Sequence, residues 1–117
     1  MRRIDTALAG ACVIEPDVHA DPRGHFYESF HQAKYVDLGL GELRFVQTNV
    51  SRSAHGVLRG LHYQWPNPQG KLVSVLEGEV WDVAVDIRLD HANPGQRGVD
   101  APHRTAPCAT SDCRYWP

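Results

Sequence analysis

Three side chains able to do chemistry stand close together in this chain, Arg59, His62 and Lys71. They sit in Val57-Leu58-Arg59-Gly60-Leu61-His62-Tyr63-Gln64 and Gln69-Gly70-Lys71-Leu72-Val73, segments whose other residues read as buried strands. Burying a guanidinium, an imidazole and an ammonium group together is costly unless a charged or polar ligand satisfies them. The pattern therefore predicts a small-molecule site, with an enzyme as the leading kind. A neutral imidazole is poised to act as a base near physiological pH. A lysine cation can support negative charge developing beside it. An arginine can grip an oxyanion with two parallel N–H groups. Each also has an ordinary reading, His62 as a hydrogen-bonded strand residue and Lys71 as a solvated strand end.

Elements must bring these groups together, and most of the chain reads as short strands separated by glycine and proline. Ala11–Glu15 and residues 24–30 are expected strands, joined through the turn residues Asp21-Pro22-Arg23-Gly24. Residues 30–38 fit one short helix ended by Gly39, and 45–51 alternate and are rich in β-formers. Residues 71–76 and 79–87, with Glu77-Gly78 between them, read as the clearest hairpin. In its second strand Val80, Asp82, Ala84 and Asp86 fall on one face and Trp81, Val83, Val85 and Ile87 on the other. Such a sheet suits a barrel or sandwich with a polar interior, although Asp82 and Asp86 read equally as surface carboxylates. Strict alternation puts Arg59 and His62 on opposite faces, so both can serve one pocket only if the strand bends, and Gly60 is the place for it.

Composition changes at Asp90. Residues 90–117 contain four prolines, four alanines, three arginines and two cysteines but no Ile, Leu or Phe, and show neither period 2 nor 3.6. They are expected to be an irregular tail, leaving 1–89 as the structured part of a single domain. The abrupt switch to Pro, Ala, Arg and Cys is what an out-of-frame translation of a GC-rich gene looks like.

The 117 residues suit one domain. A net charge of −2 and a pI near 6.4 provide no footprint for nucleic acid or an anionic membrane. There is neither a signal-like apolar run nor a membrane-length apolar stretch. Cys12, Cys108 and Cys113 are an odd number at spacings unsuited to zinc. A soluble cytoplasmic protein with reduced thiols is expected.

Five blocks carry a specific resemblance. Asp21-Pro22-Arg23-Gly24-His25-Phe26-Tyr27-Glu28, Phe45-Val46-Gln47-Thr48-Asn49-Val50-Ser51, the two blocks around Arg59 and Lys71, and Gly78-Glu79-Val80-Trp81-Asp82-Val83-Ala84-Val85-Asp86-Ile87-Arg88 resemble the dTDP-4-dehydrorhamnose 3,5-epimerase family. They do so in order and spacing from about Asp21 to Arg88, where the resemblance stops. It implies an all-β, cupin-like jelly roll (a double-stranded β-helix), incomplete on its C-terminal side, and a homodimer needing no metal or organic cofactor. The implied substrate is a dTDP-4-keto-6-deoxy sugar whose C4 ketone acidifies the C–H bonds at C3 and C5. By the same resemblance His62 is the base, Lys71 stabilises the enolate, and Arg59 holds the diphosphate. Arg23, Glu28, Gln47 and Asn49 bind the nucleotide sugar, Arg23 and Glu28 across the dimer. The general acid and the acidic partner of the histidine belong to the portion that residues 90–117 do not resemble.

Two other readings compete. A metal-dependent cupin would need a second histidine where Gln64 stands and a glutamate well before Glu77, so one surviving ligand, His62, is too few for a transition metal. A catalytically inactive truncated member would at most bind sugar nucleotide or dimerise.

Overall fold

The computed structural model describes residues 1–41, 44–87 and 111–114. The elements are β1 (Arg2–Asp5), β2 (Ala11–Glu15), β3 (Val18–Asp21), β4 (Gly24–Tyr27), α1 (Gln32–Asp37), β5 (Lys71–Ser74) and β6 (Ser111–Arg114). Four strands form an antiparallel sheet in the order β1-β2-β6-β5, and β3 and β4 form a separate hairpin. With one short helix, the described chain is all-β.

β2 is flanked by ladders to β1 and β6, and four successive residues, Ala11, Cys12, Val13 and Ile14, are buried. A strand covered on both faces reads as a continuous apolar run rather than an alternating one. Cys12 and Ile14, two apart and so on one face, form the core with Tyr35 of α1 and Leu40. Met1, Leu38, Phe45 and Leu72 pack around them. Ile14 and Tyr35 are fully buried.

Helix α1 is held at both ends by local chemistry. His31 adopts an extended conformation at the N-cap, and its Nδ1 accepts from the Lys34 amide at 3.4 Å. At the other end Gly39 takes φ +75°, its N–H donates to Val36 O at 2.9 Å, and the Leu40 N–H donates to Tyr35 O at 3.1 Å. These are the paired 5→2 and 6→1 bonds of a Schellman ending, and glycine is what the left-handed position favours. Arg3 Nη1 donates to Leu38 O and Gly39 O at 3.2 Å each, tying β1 to the same helix end. The Tyr35 hydroxyl donates to Ser29 O at 3.2 Å, and its ring stacks on Phe30 at 5.2 Å. Phe45 meets both rings edge-on. This cluster ties the segment after the β3–β4 hairpin to α1 and to Phe45.

The helix and β2 fall where the sequence places them, and the strand expected over 24–30 is the shorter β4. Two expected strands differ. Among the described residues neither 45–51 nor 79–87 is assigned as a strand or joins a ladder. Lys71–Ser74 pairs with β6 rather than with 79–87. Nor do the two faces of 79–87 separate by burial: Trp81 and Ile87 are exposed, and 82–86 are all intermediate. Of the tail expected to be irregular, Ser111–Arg114 is strand β6, and the remainder lies outside the described residues.

Candidate functional site

The candidate residues sit on three supports. Arg23 occupies the two-residue turn between β3 and β4, closed by the Asp21↔Gly24 pair, with Gly24 at φ +138°. The Asp21 carboxylate accepts the Arg23 amide at 2.9 Å, a local turn that aspartate forms readily. It also takes the arginine's Nε at 3.1 Å and Nη2 at 2.6 Å. These bonds from Arg23 hold the Asp21 carboxyl below the usual carboxylate range. The guanidinium is 90% exposed, so the pair orients Arg23 more than it stabilises the fold.

Glu28 follows β4 and faces α1. Lys34 Nζ lies 2.7 Å from Glu28 Oε1, close enough for an ion pair although its direction is poor for a hydrogen bond. That ammonium is the main reason the Glu28 carboxyl is held low. Arg23 and Glu28 are thus each matched with a different neighbour and not with each other.

Gln47, Asn49, Arg59 and His62 belong to the stretch 44–70, in which no strand or helix is assigned. Gln47 Nε2 donates to Asn49 Oδ1 at 3.2 Å, as residues two apart on one side of an extended chain can. Among the described residues this is the one hydrogen bond that joins two of the candidates. Arg59 Nε donates to Ser53 Oγ at 3.1 Å. His62 is exposed. The chain breaks at Gly60, which has φ +112° and a cis peptide to Leu61. A Cβ added at Gly60 would meet His62 N at 3.8 Å and Nδ1 at 3.9 Å, so the imidazole folds back over the glycine. Lys71 opens β5, exposed, with Leu72 behind it against the core. The structure thus brings Gln47 to Asn49 and leaves His62 and Lys71 without a direct contact among the described residues. A cleft of about 360 Å³ lined by Gln32, Arg44, Phe45 and Val46 contains none of the candidates.

Three residues that the sequence reading did not single out hold candidates in place: Asp21 for Arg23, Lys34 for Glu28, and Ser53 for Arg59. For Asp21 the signal was available in its turn spacing to Arg23. Lys34 depends on how α1 packs. Ser53 depends on a chain reversal between it and Arg59.

The described residues are all-β with one short helix, and their likeness to solved epimerases places the chain in the cupin-like jelly-roll class. The dTDP-4-dehydrorhamnose 3,5-epimerase family matches residues 5–98, and the chain belongs to that family. The match begins before Asp21 and runs past Arg88, so the resemblance extends further in both directions than the motifs alone indicated. A dTDP-4-dehydrorhamnose 3,5-epimerase from Methanothermobacter thermautotrophicus is 54% identical over 95 residues, 81% of this chain and 51% of the relative. The one from Pseudomonas aeruginosa is 47% identical over 96 residues, 82% of this chain and 53% of the relative. The chain spans about half the length of these relatives. In three dimensions it resembles a dTDP-6-deoxy-D-glucose-3,5-epimerase from Legionella pneumophila, solved in complex with dTDP-4-keto-L-rhamnose. The TM-score is 0.79 at 46% identity, covering 97% of this chain and 60% of that one.

Proposed function

We propose that the chain acts in 3,5-epimerisation of dTDP-4-dehydro-6-deoxy-D-glucose, giving dTDP-4-dehydro-L-rhamnose for dTDP-L-rhamnose biosynthesis. The observation that carries this reading is the family match over residues 5–98, which includes all seven candidate residues. It is supported by the likeness to an enzyme solved with a keto-rhamnose nucleotide, and these favour it over an inactive stub.

In this reading the ketone at C4 lets His62 remove a proton at C3 and at C5, the electrons moving each time into an enolate. Lys71 faces the enolate oxygen, where a cation lowers the barrier directly. Inversion of each carbon then needs a proton delivered to the opposite face by a general acid, a role none of the seven candidates fills, while the proton taken up by His62 exchanges with solvent. Arg59 holds the diphosphate, while Arg23, Glu28, Gln47 and Asn49 bind the rest of the nucleotide sugar. Residues 1–89 form the N-terminal part of a single jelly-roll domain. The working form is a cytoplasmic homodimer, and no helix among the described residues is long and apolar enough to cross a membrane.

Proton NMR of dTDP-4-keto-6-deoxyglucose with the protein in D2O tests the reading. The expected result is loss of the H3 and H5 signals with appearance of the rhamno product. Absence of exchange at both positions, from protein shown to be folded, overturns it.

A further inference from the structure

We propose that Ser53 is a positioning residue for Arg59, turning the guanidinium so that its two terminal nitrogens face the diphosphate. The inference rests on the reading above, in which Arg59 is the phosphate anchor.

An arginine offers an oxyanion two edges, one formed by Nε and a terminal nitrogen, the other by both terminal nitrogens. The Nε–H of Arg59 donates to Ser53 Oγ at 3.1 Å, so the mixed edge is occupied. The end-on edge is what remains for a bidentate grip. Ser53 and Arg59 are six residues apart, which on a fully extended chain is roughly 20 Å. A turn removes that distance: Val57 N–H donates to Ala54 O at 3.4 Å, and Gly56 takes φ +79°. Nothing lies within 4 Å of a Cβ built on Gly56, so backbone conformation rather than space calls for glycine there. Both Ser53 and Arg59 are exposed, and a ligand can reach the free edge.

Arg23 shows what the alternative looks like in the same molecule. Its mixed edge is taken by a carboxylate, with Asp21 accepting from both Nε and Nη2, which compensates its charge. Ser53 fixes the orientation of Arg59 with a neutral hydroxyl and leaves the positive charge whole. Of the two arginines, Arg59 is therefore the one prepared for an anion.

Two readouts on the 117-residue chain test this. The first is the Arg59 Nε–H resonance, expected to be protected from solvent exchange in the wild type, lost in Ser53→Ala and kept in Ser53→Thr. The second is affinity for dTDP and for thymidine by titration calorimetry. Ser53→Ala should weaken dTDP binding by about tenfold, the loss of one hydrogen bond to a charged group, and leave thymidine binding unchanged. Ser53→Thr should restore the wild-type value. Ser53→Asp should weaken dTDP further by neutralising Arg59, again without effect on thymidine. The proposal is overturned if Ser53→Ala binds dTDP as the wild type does, or weakens dTDP and thymidine alike. A wild-type chain that binds dTDP no better than thymidine overturns the phosphate-anchor reading itself, and the positioning role with it.

Discussion

Residues 1–41 and residues 44–87 are built on different terms. Among the described residues, the first stretch contains five of the seven elements and all the buried apolar side chains, from Leu8 to Leu40. The second contains one described strand, β5, and, apart from Phe45 and Leu72 at the core's edge, leaves many of its large apolar side chains open, with Leu58 92%, Val46 88% and Trp65 79% exposed. Yet the second carries five of the seven candidate residues: Gln47, Asn49, Arg59, His62 and Lys71. The scaffold and the candidate residues are thus largely separate along the described chain. Where a core exists, burial fixes side-chain positions. Where it does not, the reactive groups are held by local devices such as the turn at Gly56, the break at Gly60 and the Ser53–Arg59 and Gln47–Asn49 bonds. Only Arg23 and Glu28 ride on the packed half, and both are held there by charge.

The comparison is sharpened most by emptying the core. Ile14 is fully buried between the sheet and Tyr35. Ile14→Ala should cost about 2–5 kcal/mol, lost transfer energy plus the cavity left behind. Denaturant unfolding followed by tyrosine and tryptophan fluorescence measures it. A cost under about 1 kcal/mol would mean that 1–41 is not the packed unit described above.

How much of this was legible beforehand follows from the same division. Helix α1 and the β3–β4 turn were readable because their determinants are local: a Gly39 ending, and Asp21-Pro22-Arg23-Gly24. β2 was readable as an apolar run. β1 was not, because Arg2-Arg3-Ile4-Asp5 is polar and exposed and is a strand only through its ladder to β2. β6 was missed for the same reason, since its residues have no apolar alternation and are defined by partners far away in sequence. The reverse error occurred at 45–51 and 79–87, where alternation was present but no strand pairing is assigned among the described residues. Candidate site residues were identifiable through motif spacing. The groups that hold them were mostly not, because a chain reversal or the packing of a helix cannot be counted along a sequence.

Acid should separate the two regions next. The carboxyls of Glu15, Asp17, Asp21 and Glu28 are all held below their ordinary values, the first three chiefly by hydrogen bonds from Arg2, the N-terminal amine and Arg23 in turn, and Glu28 by the neighbouring Lys34 ammonium. All four lie in residues 1–41. A carboxyl with a lowered folded pKa adds stability that is fully present above its ordinary value, 4.5 for glutamate and 3.8 for aspartate. That stability is lost as pH falls through the lowered folded value. The melting temperature should therefore be flat from neutral pH to about 4.5 and decline below it. Because the pairs are exposed, added salt should weaken the effect at each pH. A melting temperature as high at pH 3 as at pH 7 would show that these pairs do not help hold the packed region.

The smallest effect is expected where sequence intuition predicts a large one. Leu58 stands beside Arg59 in an apolar run, and replacing a buried leucine by a small polar residue would cost several kcal/mol. At 92% exposure it has almost nothing to lose. Leu58→Ser should change stability by less than about 0.5 kcal/mol, the range of substitutions away from packed features. The same denaturant titration used for Ile14→Ala measures both variants side by side. A loss of 2 kcal/mol or more at Leu58 would mean that this stretch is covered in solution, whether by a second copy or by other parts of the chain. The contrast between a packed half and an open half would then fail, and Arg59 would be held by burial as well as by Ser53. A change near zero would leave the turn at Gly56 and the Ser53 hydroxyl as the principal constraints on how the arginine meets its ligand.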